Sequence, residues 1–332
     1  LPQQSTDFIF SILSEEYGFI KCVGGIAGSA GGKITDCFVE GIICASATTA
    51  DYCCCGGLIG SASGDISNCK FSGSVFSEMS DNASYFNQSG TGGLIGCLSY
   101  YAKNRISNCL VENAVIEGNS IVGGLVGNSD SSYGDDDGDD CIGCVVKNSS
   151  IKSKSGEFSC CGGLIGVLGL YGDCDNTINN CIVENCNITG YAYTGGLVGV
   201  ALKFKSIENS NVNNVSIEGQ GCVAGLVGIL GCDFDCVPLF FYDNSYYYDI
   251  PYDCNGIVSN CSVTANKLLE SNSIFNDIDT GVGGLVGCNS KNTKIVGCFA
   301  KIKSIESNGE AGGFVAYNEG DIENATTLVR MM

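Results

Sequence analysis

Two classes of residue in this 332-residue chain could do chemistry, its carboxylates and its 23 cysteines. The run Asp135-Asp136-Asp137-Gly138-Asp139-Asp140 gathers five carboxylates around one glycine. Ca2+ takes about six to eight oxygen ligands, so this run is a candidate Ca2+ site. Its spacing departs from that of an EF-hand loop, and the competing reading is a loop that simply solvates its like charges. No His occurs anywhere, which removes Ser-His-Asp and Cys-His catalysis and every imidazole metal site. Among the cysteines, Cys141-x-x-Cys144 is the single spaced pair of the kind zinc ribbons use in twos, so zinc does not account for them. Cysteine at this density points to an oxidising, extracellular setting.

Charge narrows the partners. Lys and Arg total 16 against 36 Asp and Glu, a net charge of −20 with a pI near 4.1. A basic stripe for phosphates is missing, so nucleic acid is excluded as a partner, and an anionic membrane surface is disfavoured. No apolar run approaches the ~18 residues that cross a bilayer. The start, Leu1-Pro2-Gln3-Gln4, has neither Met nor a leader pattern, and reads as a processed form or a piece of something longer.

The elements that must position these residues show up on self-comparison. A block Gly-Gly-apolar-apolar-Gly begins at Gly24, Gly56, Gly92, Gly123, Gly162, Gly195 and Gly283, with variants at Ala224 and Gly312. Successive blocks start 29 to 59 residues apart. A second block, apolar-any-Asn/Asp-Cys, follows each first one, as in Ile66 to Cys69, Ile106 to Cys109 and Ile178 to Cys181. Looser copies include Cys141 to Cys144 and Ile207 to Ser210. Two residues later stands Val, Phe or a small residue, such as Val111 or Val183, and a third apolar patch such as Val115-Ile116 comes after. The runs alternate with period two, and none shows helical spacing. A unit of about 30 residues cannot bury its own apolar face, whereas stacked copies build a continuous core. The expected fold is therefore all-β: a single parallel β-solenoid domain (β-helix) over residues 1–332. It has about nine coils of three short strands each and one Cys- and aromatic-rich insertion at 229–256. The Asn of the second block should stack amide over amide at a bend, at Asn68, Asn108, Asn180, Asn209, Asn260 and Asn324.

Within that frame the cysteines divide. Cys37, Cys69, Cys109, Cys144, Cys181, Cys261 and Cys298 form one column, read as small hydrophobes buried inside the solenoid. In-register neighbours would stand ~4.8 Å apart with parallel Cβ vectors, a poor fit for a disulfide. The disulfide candidates are the others: Cys22, Cys53, Cys54, Cys55, Cys160, Cys161 and Cys222, with Cys232, Cys236 and Cys254 in the insertion. Cys22, Cys54, Cys160 and Cys222 all lie two residues before a glycine block, which suits staples between coils.

The Gly-Gly-Leu-Val-Gly block followed by Ile-x-Asn-Cys resembles the GLUG-motif repeat, and the resemblance runs over residues 22 to 327. It implies solenoid stalks of large secreted or surface proteins, and no catalytic residue. The cysteine content points to a eukaryotic secretory origin. Sequons then mark N-linked glycan candidates at Asn82 and Asn87, in a polar loop, and at Asn148 and Asn214, in one exposed turn.

Three functions fit such a chain. The repeat alone suffices for a structural protein, secreted or on the cell surface, and it fills nearly the whole chain. A carbohydrate- or cell-binding adhesin would use the aromatics Phe240-Phe241-Tyr242 and Tyr246-Tyr247-Tyr248 of the insertion. A polysaccharide-degrading β-helix enzyme would need an acid pair recurring on one face beside Lys or Arg, and none is found. The expectation is a non-enzymatic subunit of a head-to-tail filament or surface coat, with no cofactor other than the candidate Ca2+. The apolar run at Phe8-Ile9-Phe10 reads as a third strand with no strands before it, and the last unit as lacking its third strand. Residues 1–21 could thus complete the last coil of the next copy.

Overall fold

The computed structural model describes residues 9–11, 21–47, 53–79, 89–98, 103–129, 138–154, 159–169, 174–231, 255–270 and 281–331. They form nine coils of a parallel β-solenoid with four sheets. Each coil contributes to the sheets in a fixed order, seen in the second coil. Cys53–Gly56 enters the glycine block in the first sheet, and Ile59–Ser63 leaves it in the second. Asp65–Ser67 belongs to the third sheet and Lys70–Met79 to the fourth. The first three sheets hold nine strands each, one per coil, and the pairing between coils is parallel throughout.

The coil therefore has four strands where the sequence suggests three, for two local reasons. The glycine block is a corner, not a strand. A Cβ added to Gly57 would lie 2.1 Å from the Gly93 carbonyl oxygen of the next coil and 2.4 Å from Phe71 Cδ2. Only glycine lets consecutive coils approach that closely, so the chain bends there and splits the run in two. The second block is cut as well, at its corner: Ile106 lies in Arg105–Ser107 of the third sheet, while Val111 joins the third patch residue Ile116 in Leu110–Gly118 of the fourth.

The second block turns through the residue before the Cys column. That residue is left-handed in all nine coils, with φ between 51° and 64°, and is Asn in six, Asp in one (Asp36) and Gly in two (Gly143 and Gly297). These are the residue types that reach this region at least cost. The expected amide stack holds only locally here. Asn68 Nδ2 donates to Asp36 Oδ1 at 3.2 Å, but Asn209 reaches Asn179 instead, at 3.2 Å. Gly143 and Gly297 have no side chain, so they interrupt the ladder above Asn108 and Asn260. A continuous ladder stands at the next corner, four residues past the Cys column, or five in the seventh coil, where the register shifts. There Asn185 donates to Asn148 at 3.2 Å, Asn214 to Asn185 at 2.7 Å and Asn266 to Asn214 at 2.7 Å.

Inward columns run the length of the stack. The glycine-block leucines Leu58, Leu94, Leu125, Leu164, Leu197 and Leu226 are all fully buried. Burying each such side chain contributes roughly 1.5–3 kcal/mol. A second, smaller apolar cluster, with Ile121, Cys160, Val167, Tyr193, Cys222 and Cys288 among its members, lies apart from the main core. It occupies the narrow space between the first and second sheets. Their approach is close: a Cβ on Gly60 would fall 2.4 Å from the Val23 nitrogen.

At the start, Ile9–Ser11 pairs parallel with Ile42–Cys44 of its own first coil, in the register of the third apolar patch. The last coil does not lack its final run. Thr326–Met331 pairs with the preceding strand as far as Met331 opposite Ile305, so the place left for an incoming strand is taken by the chain itself.

Candidate functional site

The chemistry-bearing residues collect in three places, each built by the coil register. The first is the thiol column. Cys69, Cys109, Cys144, Cys181, Cys261 and Cys298 are buried with free thiols, and Cys37, in the first coil, is half-buried. Each Sγ donates back across its corner to the carbonyl two residues earlier, from Cys37 to Thr35 at 3.2 Å through Cys298 to Val296 at 3.4 Å. From Cys69 on, the sulfur also sits 3.5–3.8 Å from a carbonyl of the coil before, as Cys109 does from Ile66. The column thus does more than fill space, because a weak donor satisfies a buried corner carbonyl. Burial pushes the Cys69 thiol up to about 11 and, elsewhere in the core, Cys161 up to about 12. The column sulfurs from Cys69 to Cys298 share their burial, which shields them from reagents in solution.

The second place is a staple between coils. Cys54 of the second coil is disulfide-bonded to Cys97 of the third, with Cα atoms 5.5 Å apart. Cys97 falls outside the disulfide candidates read from the sequence, although it stands five residues after the start of its glycine block and faces the position that precedes the block in the coil before. Of the other candidates, Cys55, Cys160 and Cys161 are buried free thiols and Cys22 a half-buried one. Cys53 and Cys222 are also buried. Cys232, Cys236 and Cys254 lie outside the described residues. Cys174 is also disulfide-bonded.

The third place is a polar corner just before the third sheet, and it separates Asp139 from Asp140, the last two carboxylates of the acidic run. Asp139 is 3% exposed and faces inward. Its Oδ1 accepts from the Asn104 backbone N–H at 3.1 Å and from Asn104 Nδ2 at 2.9 Å, and its Oδ2 from the Ser129 hydroxyl at 2.8 Å. Its own N–H donates to Asn176 Oδ1 at 2.8 Å, and Asn176 Nδ2 donates to the Lys203 carbonyl at 2.7 Å. Burial outweighs these hydrogen bonds and raises the Asp139 carboxyl above its ordinary value. Asp140 is committed elsewhere, accepting from Thr177 Oγ1 at 2.6 Å and lying 3.8 Å from Lys103 Nζ. The two carboxylates do not converge, because adjacent residues entering a strand face opposite sides. Among the described residues no group of three or more His, Cys, Asp or Glu side chains is placed to hold a metal ion. Asp135, Asp136 and Asp137 lie outside the described residues. The corner was legible in principle, since Asn104, Asp139 and Asn176 all stand two residues before the apolar start of the second block.

Asn148 and Asn214 are exposed, at the corner that carries the amide ladder, while Asn82 and Asn87 lie outside the described residues. The insertion aromatics do so too. No helix among the described residues is long and apolar enough to cross a membrane.

No curated protein and no solved structure matches the chain. One family profile does, that of the GLUG motif, over residues 51–75. That stretch covers one complete passage of the second coil, from Cys53 through the glycine corner to the Cys69 turn and into the fourth sheet. The same passage recurs in register in every coil, so the GLUG motif of the second coil supports reading the chain as a GLUG-motif repeat.

Proposed function

We propose that this protein is an extracellular structural repeat protein, a subunit that stacks head to tail into a filament or surface coat. The observation that carries this reading is the exposure of the core columns at both ends of the stack. Ile26 is 51% exposed where its counterpart Leu58 is 0%, and Ile322 is 38% exposed where Ile295 is 0%. Uncovered columns flanked by parallel strands that are sheet edges among the described residues favour continuation of the same lattice. A second copy supplies the matching columns in the matching register, in a contact that repeats without closing. The contact is coil against coil, because the chain's own strand Thr326–Met331 occupies the place of a donated one. The Cys54–Cys97 disulfide supports an oxidising compartment. Asn148 is the favoured glycan carrier, since Asn214 spends its amide on Asn185. The reading assigns no catalytic residue and no cofactor.

Negative-stain electron microscopy of the purified chain, with sedimentation over a hundredfold concentration range, tests the proposal. Filaments with an axial subunit repeat of roughly 43 Å, nine coils at ~4.8 Å, are expected. A monodisperse monomer at every concentration overturns it.

A further inference from the structure

The Cys54–Cys97 bond joins two positions that the repeat defines. One is two residues before a glycine block, and the other is five residues after the start of the next block. Both positions run as unbroken columns through the stack. The first passes through Cys54, Gly90, Tyr193 and Cys222, and the second through Ser61, Cys97, Ile229 and Cys288. Cys occupies the second column only twice, at Cys97 and Cys288. In both cases the coil before carries Cys in the first column, at Cys54 and Cys222. The other two Cys of the first column, Cys22 and Cys160, stand across from Ser61 and Val200.

We propose that Cys222 and Cys288 form a disulfide that staples the seventh coil to the eighth, the counterpart of Cys54–Cys97. Three observations carry it besides the pairing of residue types. The two cysteines stand in the same coil relationship as a pair whose Cα atoms are 5.5 Å apart, within the span a disulfide bridges. A Cβ placed on Gly287, the neighbour of Cys288, would lie 3.2 Å from Cys222 Cβ, so the two strands are in contact at this point. Both residues are 1% exposed and belong to the same apolar cluster between the first and second sheets. The bond spans the connection that carries residues 232–254, so it holds two coils in register where the chain departs furthest from the repeat.

The bond forms by exchange with an external disulfide such as oxidised glutathione. One protein thiolate attacks it and releases one small thiol, and the second protein thiolate displaces the other. The Cys222–Cys288 bond forms, the external S–S bond breaks, and the two protons leave on the released thiols. Both sulfurs are buried once folded, so exchange precedes closure of the eighth coil.

The test uses the full chain refolded in a glutathione redox buffer, unfolded without reductant, alkylated and digested. Mass spectrometry is expected to find a reducible cross-linked peptide containing Cys222 and Cys288 beside the one containing Cys54 and Cys97. The double variant C54S/C97S should keep the first cross-link, and Cys288→Ser should leave Cys222 alkylated before reduction. Cys222 and Cys288 both alkylated before reduction in the unmodified chain, or either joined to a different cysteine, overturns the proposal.

Discussion

Ser210 stands in the cysteine column directly after Cys181, and its hydroxyl donates to the Glu208 carbonyl at 2.8 Å as the Cys181 thiol donates to Asn179 at 3.5 Å. The stack thus contains its own Cys-to-Ser exchange. Through the buried coils the column keeps a small side chain with one donor. Cys109→Ser should therefore cost no more than ~1 kcal/mol, the size of one net hydrogen bond. Cys109→Leu should cost ~1–3 kcal/mol by overpacking. Urea denaturation midpoints give the order, and a serine variant less stable than the leucine variant would contradict this role.

Reactivity of the thiols should follow exposure. Cys44 is an exposed free thiol on the fourth sheet, whereas the column from Cys69 to Cys298 is buried. A disulfide reagent added to native protein near pH 8 should modify Cys44 quickly and the column only on unfolding, because burial keeps the reagent from the column sulfurs. Peptide mapping of the fast phase checks this. Cys69 or Cys109 in that phase would show that the stack opens.

The left-handed corner offers a sharper test. Asn180 has φ of 54°, and Gly143 holds the equivalent place in the coil before. Asn180→Gly should be within ~0.5 kcal/mol of the parent, since glycine bears this backbone freely. Asn180→Ala should lose ~1 kcal/mol to the left-handed strain. Equal midpoints for the two variants would remove the corner from the list of local determinants.

Asp139 makes stability depend on pH in a direction opposite to that of a salt-bridged carboxylate. Burial raises its folded pKa above the ordinary carboxylate value, so the folded state binds the proton more tightly than the unfolded chain. The stabilisation linked to this group is full below about pH 4 and is lost as pH rises through the raised folded value. Asp139→Asn keeps an acceptor for Asn104 and lets the Ser129 hydroxyl turn to accept. It should match or exceed the parent in melting temperature at pH 7 and lose its advantage towards pH 4. A parent more stable than D139N at pH 7 would mean that the ionised carboxylate, not its shape, is what the corner uses.

Because Asp139 and Asp140 are spent on protein partners, a Ca2+ chelator should leave the melting temperature unchanged. A ligand bound only by the native state would show itself as a drop. Such a drop would place a site on Asp135, Asp136 and Asp137 with other oxygens.

What the sequence alone determined is whatever repeats or acts locally. The glycine block, the inward Ile and Cys of the second block and the Asn at the bend declared nine parallel coils, because period-two alternation and left-handed preference are properties of a few adjacent residues. Tertiary structure decided what depends on distance between coils. The glycine block splits into two strands because Gly57 meets the Gly93 carbonyl of another coil, which lies 36 residues away. The amide ladder runs through Asn148, Asn185 and Asn214 instead of the predicted corner because Gly143 and Gly297 interrupt the latter. Cys54 finds Cys97 across 43 residues only once the third coil has seated on the second, and composition does not specify that pairing. Asp139 and Asp140 are chemically identical neighbours in the sequence. The strand they enter turns Asp139 inward to Asn104 and Ser129 and Asp140 outward to Thr177 and Lys103, which separates these two carboxylates.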